Sequence, residues 1–186
     1  MIPLKAPALA KSRLAPALDE RERAALVRRM ALHVIRTASQ ARGINHVAIV
    51  GDGADLMPPG IELIADPHGD LNRALHHAAS LLAARGIGRV MILPADLPLL
   101  TAQDVERLTA APGAAIAPDA HGSGTNALLL PLPLPITLGF GPGSFDRHCR
   151  RLRAAGIDPA IITSPGLSHD VDLPADLPHA TALGDG

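Results

Sequence analysis

Three aspartates stand where a carboxylate needs a reason. In "MILPADLPLL" (91–100) an apolar run breaks at Pro94 and delivers Asp96 with apolar residues on both sides. A charge there must find a cation, a set of hydrogen bonds or water, because burying it bare is very costly. Near the other end, "SHDVDLPADL" sets Asp170 and Asp172 two residues apart in an extended segment, so both side chains leave one face. Like charges side by side repel unless a cation lies near them. A turn aspartate binding nearby amides would account for Asp96, and a cap on a helix opening at Pro174 would account for Asp172. Neither gives Asp170 a role. Three carboxylates, one cysteine and no histidine set favour a hard, oxygen-seeking ion, hence Mg²⁺.

Two glycine-rich turns and a cationic loop accompany them. "HGSGTNALLL" (121–130) runs a turn into a strand, with Thr125 and Asn126 at its mouth. "GFGPGSFDRH" (139–148) runs a second turn into a helix, with Ser144 near the start. Amides at a helix N-terminus, approached through glycines, suit an anion. Gly141 and Gly143 would let the backbone approach it, and the amide and hydroxyl of Ser144 could join the amide of Gly141 in holding an acid. Ordinary turn punctuation is the plainer reading of either turn taken alone. The chain's only phenylalanines, Phe140 and Phe145, flank the second turn and can hold its shape by packing. "PLKAPALAKSRL" (3–14) contains the only lysines, Lys5 and Lys11, with Arg13 beyond. A cationic loop opposite a carboxylate-held metal is what a nucleoside triphosphate requires, and a solvated loop is the alternative.

These residues need a scaffold. Asp19 and Glu22 form a capping-box start, followed by Leu26, Met30, Val34 and Ala38 at helical spacing, with Gly43 ending the helix. Residues 46–50 and 61–65 read as strands. Asp70 can cap a helix that stops at Gly86; a strand over 90–93 and a helix begun by Thr101 and Asp104 follow. Strands over 114–118, 126–130 and 160–163, with a helix between the last two, complete an α/β alternation. That pattern predicts one layered domain over residues 1–186 with a mostly parallel sheet. Ligands in such sheets bind beyond the carboxyl ends of the strands, and Asp96 lies just past one.

Composition narrows the class. A net charge of −1 offers no global field for nucleic acid or anionic membrane. No apolar run approaches the ~20 residues of a membrane span, and "MIPLKAPALAKSR" has no signal-peptide core. Cys149 is alone, so neither an internal disulfide nor a cysteine-rich zinc site is expected. A soluble cytoplasmic setting is the expectation.

Taken in order, "LKAPALAKSRL", "LPADLPLL", "GSGTNALLL", "FGPGSFDRH" and "HDVDLPADL" resemble the 2-phospho-L-lactate guanylyltransferases of coenzyme F-420 biosynthesis. The resemblance reaches both ends and most of the middle. It implies a three-layer, glycosyltransferase-A-like nucleotidyltransferase fold with a mostly parallel mixed sheet. It also implies transfer of GMP from GTP to a small phosphorylated acid, with release of diphosphate. By the same resemblance, Mg²⁺ falls to Asp96, Asp170 and Asp172, and the acceptor to Thr125, Gly141 and Ser144. GTP contacts fall to Lys5, Lys11, Arg13 and Asn72. Two departures stand out: the first strand is only "MIPL", and Asp70 occupies a position where the family commonly has glycine. Phosphoenolpyruvate, 2-phospho-L-lactate and 3-phosphoglycerate are the acceptors the family offers. The Ala-, Arg- and Pro-rich composition suggests a GC-rich bacterial source and tilts the expectation to phosphoenolpyruvate. Expected partners are GTP, the acid, the next transferase of the deazaflavin pathway and a second copy in a homodimer. The rivals are a molybdopterin guanylyltransferase-like enzyme and a non-catalytic nucleotide-binding partner. The glycine-free "PALAKSRL" speaks against the first, and the retention of all three aspartates against the second.

Overall fold

The computed structural model describes residues 1–4, 11–52, 58–66 and 69–183. Lys5 lies outside them. Strands β1 (Ile2–Leu4), β2 (Ala48–Gly51) and β3 (Glu62–Ile64) pair in parallel. Strands β4 (Arg89–Ile92), β5 (Ala115–Pro118), β6 (Thr125–Pro131) and β7 (Ala160–Ile161) pair in the order β4-β6-β5-β7. The two sets meet through Met1, whose nitrogen donates to the Met91 carbonyl at 2.7 Å and whose carbonyl accepts from Leu93 at 3.1 Å. The result is one sheet, ordered β3-β2-β1-β4-β6-β5-β7. Only β6 runs against its neighbours. The sheet is therefore mixed, with a single antiparallel strand inserted between two parallel groups.

Helices cover both faces. Helix α1 (Glu20–Gln40) opens with the capping box expected of Asp19 and Glu22, each side chain taking the other's amide at 2.8 Å. Its apolar stripe, Ala31, Val34, Ile35 and Ala38, is buried with α3 (Ala102–Thr109) against Ile2, Ile49, Met91 and Leu129. Burying each large aliphatic of that stripe contributes about 1.5–3 kcal/mol. Helix α2 (Leu71–Ala84) starts on Asp70, whose carboxylate accepts from the Arg73 amide at 2.9 Å. That cap gives Asp70 a structural role where a glycine could offer none. With α4 (Ser144–Ala154), α2 covers the opposite face, over Val50, Ile92, Ile116 and Leu128. These are the three layers of an α/β/α domain. Short α5 (Pro165–Ser168) and α6 (Leu177–Ala180) close the chain, the latter beside α1 in a small satellite core with Leu14 and Val171.

Candidate active site

The carboxyl ends of β1, β2 and β4 open into a cavity of about 470 Å³, a size suited to a small-molecule ligand. Leu4, Lys11, Arg13, Gly51, Asp52 and Asp96 are among its lining. Gly51 has φ +117°, and a Cβ there would stand 2.3 Å from the Leu4 carbonyl oxygen. Only glycine lets β1 and β2 approach this closely at the cavity floor.

At the mouth, Asp96, Asp170 and Asp172 each bring one carboxylate oxygen within 4.8 Å of the others. The chain places them from two directions. Asp96 follows β4, and its backbone carbonyl accepts from the Val171 amide at 3.2 Å, which stitches the two segments together. The cap reading of Asp172 fails for a simple reason. Asp176, not Asp172, accepts from the amides of residues 172 and 173, at 3.0 and 2.7 Å. Asp172 is thereby free to turn to Lys11, whose ammonium donates to it at 2.7 Å and also to Asp96.

Lys11 is the only non-glycine residue with positive φ, +57°, among the described residues. A left-handed lysine costs about 1–2 kcal/mol, so its placement between two carboxylates is held against local preference. Burial opposes its charge, but the pull of Asp96 and the hydrogen bonds to Asp172 and Asp96 outweigh it and raise the pKa. Asp170 shows the reverse. Burial pushes its carboxyl above the ordinary range, a hydrogen bond from Asn126 at 3.1 Å opposes this, and the charges of Asp96 and Asp172 add to the rise. One oxygen, Asp96 Oδ1, is buried with no hydrogen-bond partner. Such an orphan costs free energy unless another ligand satisfies it. The donor set, all carboxylate and one atom short of satisfaction, fits a divalent hard cation.

The residues expected from sequence to meet the acceptor come from β6 and the turn before α4. Alternation along β6 puts Ala127 in the α1/α3 core and Leu128 in the α2/α4 core. Continued backwards, it would send Thr125 towards α1 and α3, and Asn126 towards α2 and α4. A register shift intervenes, with Ala117 opposite Ala127 and Pro118 opposite Thr125. This bulge exchanges the two directions. Thr125 meets His148 of α4 at 3.0 Å, and Asn126 reaches Asp170 and the Ser168 carbonyl. Both are buried.

The first glycine turn is not an anion site. Its amides at Ser123 and Gly124 already hold the chain's own Asp119 carboxylate, each at 2.8 Å. The second turn is held by side chains instead. His76, His148 and Asn72 accept from the amides of Leu138, Gly139 and Phe140. Arg147 donates to the carbonyls of Gly139 and Pro142, and Arg151 to that of Thr137. The amide of Ser144 donates to the Gly141 carbonyl at 3.0 Å, so it is not available to a ligand as the sequence suggested. Gly141, at φ +122°, would have no atom within 4 Å of an added Cβ, and the turn presents open backbone there. Asn72 is engaged on both its amide atoms by Phe140, at 2.7 and 3.3 Å, and so belongs to the turn's support. Asn126 and His148 were not singled out as site residues from sequence. A polar pair at a strand mouth and a histidine one turn into a helix were the signals, but their partners lie 44 and 23 residues away.

The fold and the carboxylate cluster define a nucleotidyltransferase-like α/β protein. A nucleotide-diphospho-sugar transferase assignment from Desulfovibrio desulfuricans G20 superposes with TM-score 0.78 at 19% identity, covering 95% of this chain and 82% of that one. 4-Diphosphocytidyl-2C-methyl-D-erythritol synthase gives 0.66 at 12%, covering 99% and 97%. At those identities the likeness concerns the fold. Sequence relatives go further. The phosphoenolpyruvate guanylyltransferase of Chloroflexus aurantiacus is 38% identical over 183 residues, covering 92% of this chain and 88% of its own. That of Streptomyces coelicolor is 36% identical over 196 residues, covering 100% and 91%. Residues 1–186 match the family described as guanylyl transferase CofC like. The chain belongs to that family and is a guanylyltransferase.

Proposed function

We propose that this enzyme transfers GMP from GTP to phosphoenolpyruvate, releasing diphosphate, as a step towards coenzyme F-420. The observation that carries this is the carboxylate cluster with Lys11 at the mouth of the cavity. The acceptor is favoured because the relatives just described are named for it. The triphosphate would lie in the cavity against Lys11 and Arg13, with Lys5 assigned to the same task from sequence. Asp96, Asp170 and Asp172 would hold Mg²⁺, which when bound supplies charge neutralisation at the reacting phosphates. Thr125, Gly141 and Ser144 would hold the acceptor.

Little activation is required of the protein. A phosphate monoester has its second pKa near ~6, so at neutral pH its oxygen is already an anionic nucleophile. That oxygen forms the new bond to the α-phosphorus of GTP as the bond to the β-phosphate oxygen breaks. In-line placement and charge stabilisation supply the rate. The product is a mixed diphosphate, whose phosphoanhydride bond is activated for a following transferase. The reaction is placed in the cytoplasm as part of this proposal; no helix among the described residues is long and apolar enough to cross a membrane.

The test incubates the purified chain with GTP, Mg²⁺ and, separately, phosphoenolpyruvate, 2-phospho-L-lactate and 3-phosphoglycerate, and follows diphosphate. Phosphoenolpyruvate should give the highest kcat/KM, and a chelator should abolish turnover. A higher value for another acid would reassign the acceptor, and turnover in excess chelator would remove the metal.

A further inference from the structure

His148 is fully buried, yet each ring nitrogen has a partner. The Gly139 amide lies 3.0 Å from Nε2, and a backbone N–H can only donate. Nε2 must therefore be the lone-pair nitrogen, which leaves the proton of a neutral imidazole on Nδ1. Nδ1 lies 3.0 Å from the Thr125 hydroxyl. That hydroxyl then accepts from His148, and its own hydrogen is directed elsewhere.

We propose that His148 is a positioning residue that fixes the Thr125 hydroxyl as a donor to an anionic oxygen of the acceptor, while tying the same side chain to the turn that carries Gly141. The proposal rests on the assignment of Thr125 to the acceptor. A threonine hydroxyl left to itself rotates among donor and acceptor arrangements; one already receiving a hydrogen bond has its proton free for the ligand. The neighbourhood keeps the ring neutral. Burial lowers its pKa to about 4, and Arg151 and Arg147 add to the fall. Phe140 stands edge-on to the ring, with centroids 4.9 Å apart, and restrains its plane. The bulge that turned Thr125 towards α4 makes this hydrogen bond possible. The turn's other side-chain partners, Asn72, His76, Arg147 and Arg151, make no contact with the Thr125 hydroxyl in holding it, so the hydroxyl's polarity is set by His148.

Two substitutions separate the two ring nitrogens. In His148→Gln the side-chain oxygen can still accept from Gly139, but the donor to Thr125 is gone. In His148→Asn the side-chain nitrogen can still donate to Thr125, but the acceptor for Gly139 is gone. With GTP, Mg²⁺ and phosphoenolpyruvate, His148→Gln should raise the acceptor KM about tenfold, the size of one hydrogen bond to a charged group, with the GTP KM unchanged. His148→Asn should recover most of that loss. Thr125→Val should raise the acceptor KM by itself, and adding His148→Gln to it should cost nothing more. Nitrogen chemical shifts of the wild-type imidazole should show the proton on Nδ1, a readout that needs no variant to fold. A proton on Nε2, equal damage by Gln and Asn, or additive losses in the double variant would overturn the role of His148 while leaving Thr125 in the acceptor site. An unchanged acceptor KM in Thr125→Val alone would overturn both.

Discussion

The two halves of the site are held by different forces. From Thr137 to Pro142 the backbone is fixed by the side chains of Asn72, His76, His148, Arg147 and Arg151, through bonds that need no ligand. At the mouth of the cavity, three carboxylates are balanced by one lysine, and one carboxylate oxygen has no partner at all. The half proposed for the acceptor is thus built in advance. The carboxylate half, under the proposed function, would exchange the lysine ammonium for a metal ion. Preorganisation suits a small acid that few contacts must orient, whereas a triphosphate and its cation bring enough charge to order their own surroundings.

The carboxylate half breaks most sharply at Asp96. Asp96→Asn should lower kcat by a thousandfold or more, on the order of 4 kcal/mol of transition-state stabilisation. Its melting temperature should stay within a few degrees of wild type, since loss of the Lys11 ion pair is offset by relief of repulsion among the three carboxylates. Diphosphate release and thermal unfolding by circular dichroism measure the two. Near-normal turnover would take the cation away from this cluster.

Acid should act on the acceptor half through His148. Its folded-state pKa of about 4 lies below the ordinary 6.5, so the neutral ring contributes stability that is complete above about pH 6.5 and lost as pH falls towards 4. Between pH 7 and pH 4.5 the loss should reach about 2–3 kcal/mol. Urea unfolding of wild type and His148→Gln at both pH values isolates this part from the carboxylates, which titrate in both proteins. Parallel losses in the two proteins would mean that the ring is protonated at little cost.

Lys11 gives an effect of opposite signs on two ligands. Its ammonium sits on two of the carboxylates that a divalent cation needs, so Lys11→Met should tighten Mg²⁺ binding without nucleotide by about tenfold. The same change should raise the GTP KM by about tenfold, through loss of one phosphate contact. Titration calorimetry and steady-state kinetics read the two. Because the Lys11 pKa is raised, its charge and the stability it contributes persist below 10.5 and are lost only as pH rises past that value. The competition should therefore be constant across neutral pH. Weaker Mg²⁺ binding in the variant would mean that Lys11 supports the cation site instead of competing for it.

The two halves also differed in how far the sequence exposed them. Asp96, Asp170 and Asp172 were legible because charge among apolar residues, and charge two residues from charge, are local anomalies. Helices α1 and α2 were legible for the same reason, since Asp19, Glu22 and Asp70 act within four residues of themselves. The acceptor half depends on pairings made across the chain. Asn72 meets Phe140 across 68 residues, and the bulge that turns Thr125 exists only once β5 and β6 have paired. The antiparallel course of β6 is likewise a matter of neighbours and not of its own apolar run. Nor could spacing tell that Asp119 fills the first glycine turn, because a glycine-rich loop looks alike whether its amides await a ligand or hold their own side chain.

The mildest test probes the built half at a buried hydroxyl. Ser144 is 1% exposed and opens α4, and its amide is already closed on the Gly141 carbonyl. Ser144→Ala therefore deletes a hydroxyl and leaves the turn's hydrogen bonds in place. If that hydroxyl reaches the acid, the acceptor KM should rise by roughly threefold to tenfold, the range for one hydrogen bond to an anion in a site with other donors. The GTP KM should not move, and the melting temperature should change by no more than a few degrees, since the substitution removes one hydroxyl and introduces no atom that must be accommodated. Steady-state kinetics with each substrate varied in turn distinguishes the outcomes. A rise in the GTP KM with the acceptor unaffected would reverse the two halves: the turn before α4 would then serve the nucleotide, and the cavity beside Lys11 the acid. The carboxylate cluster would keep its place in either arrangement, because Asp96 is tied to the segment of Asp170 and Asp172 by the backbone itself.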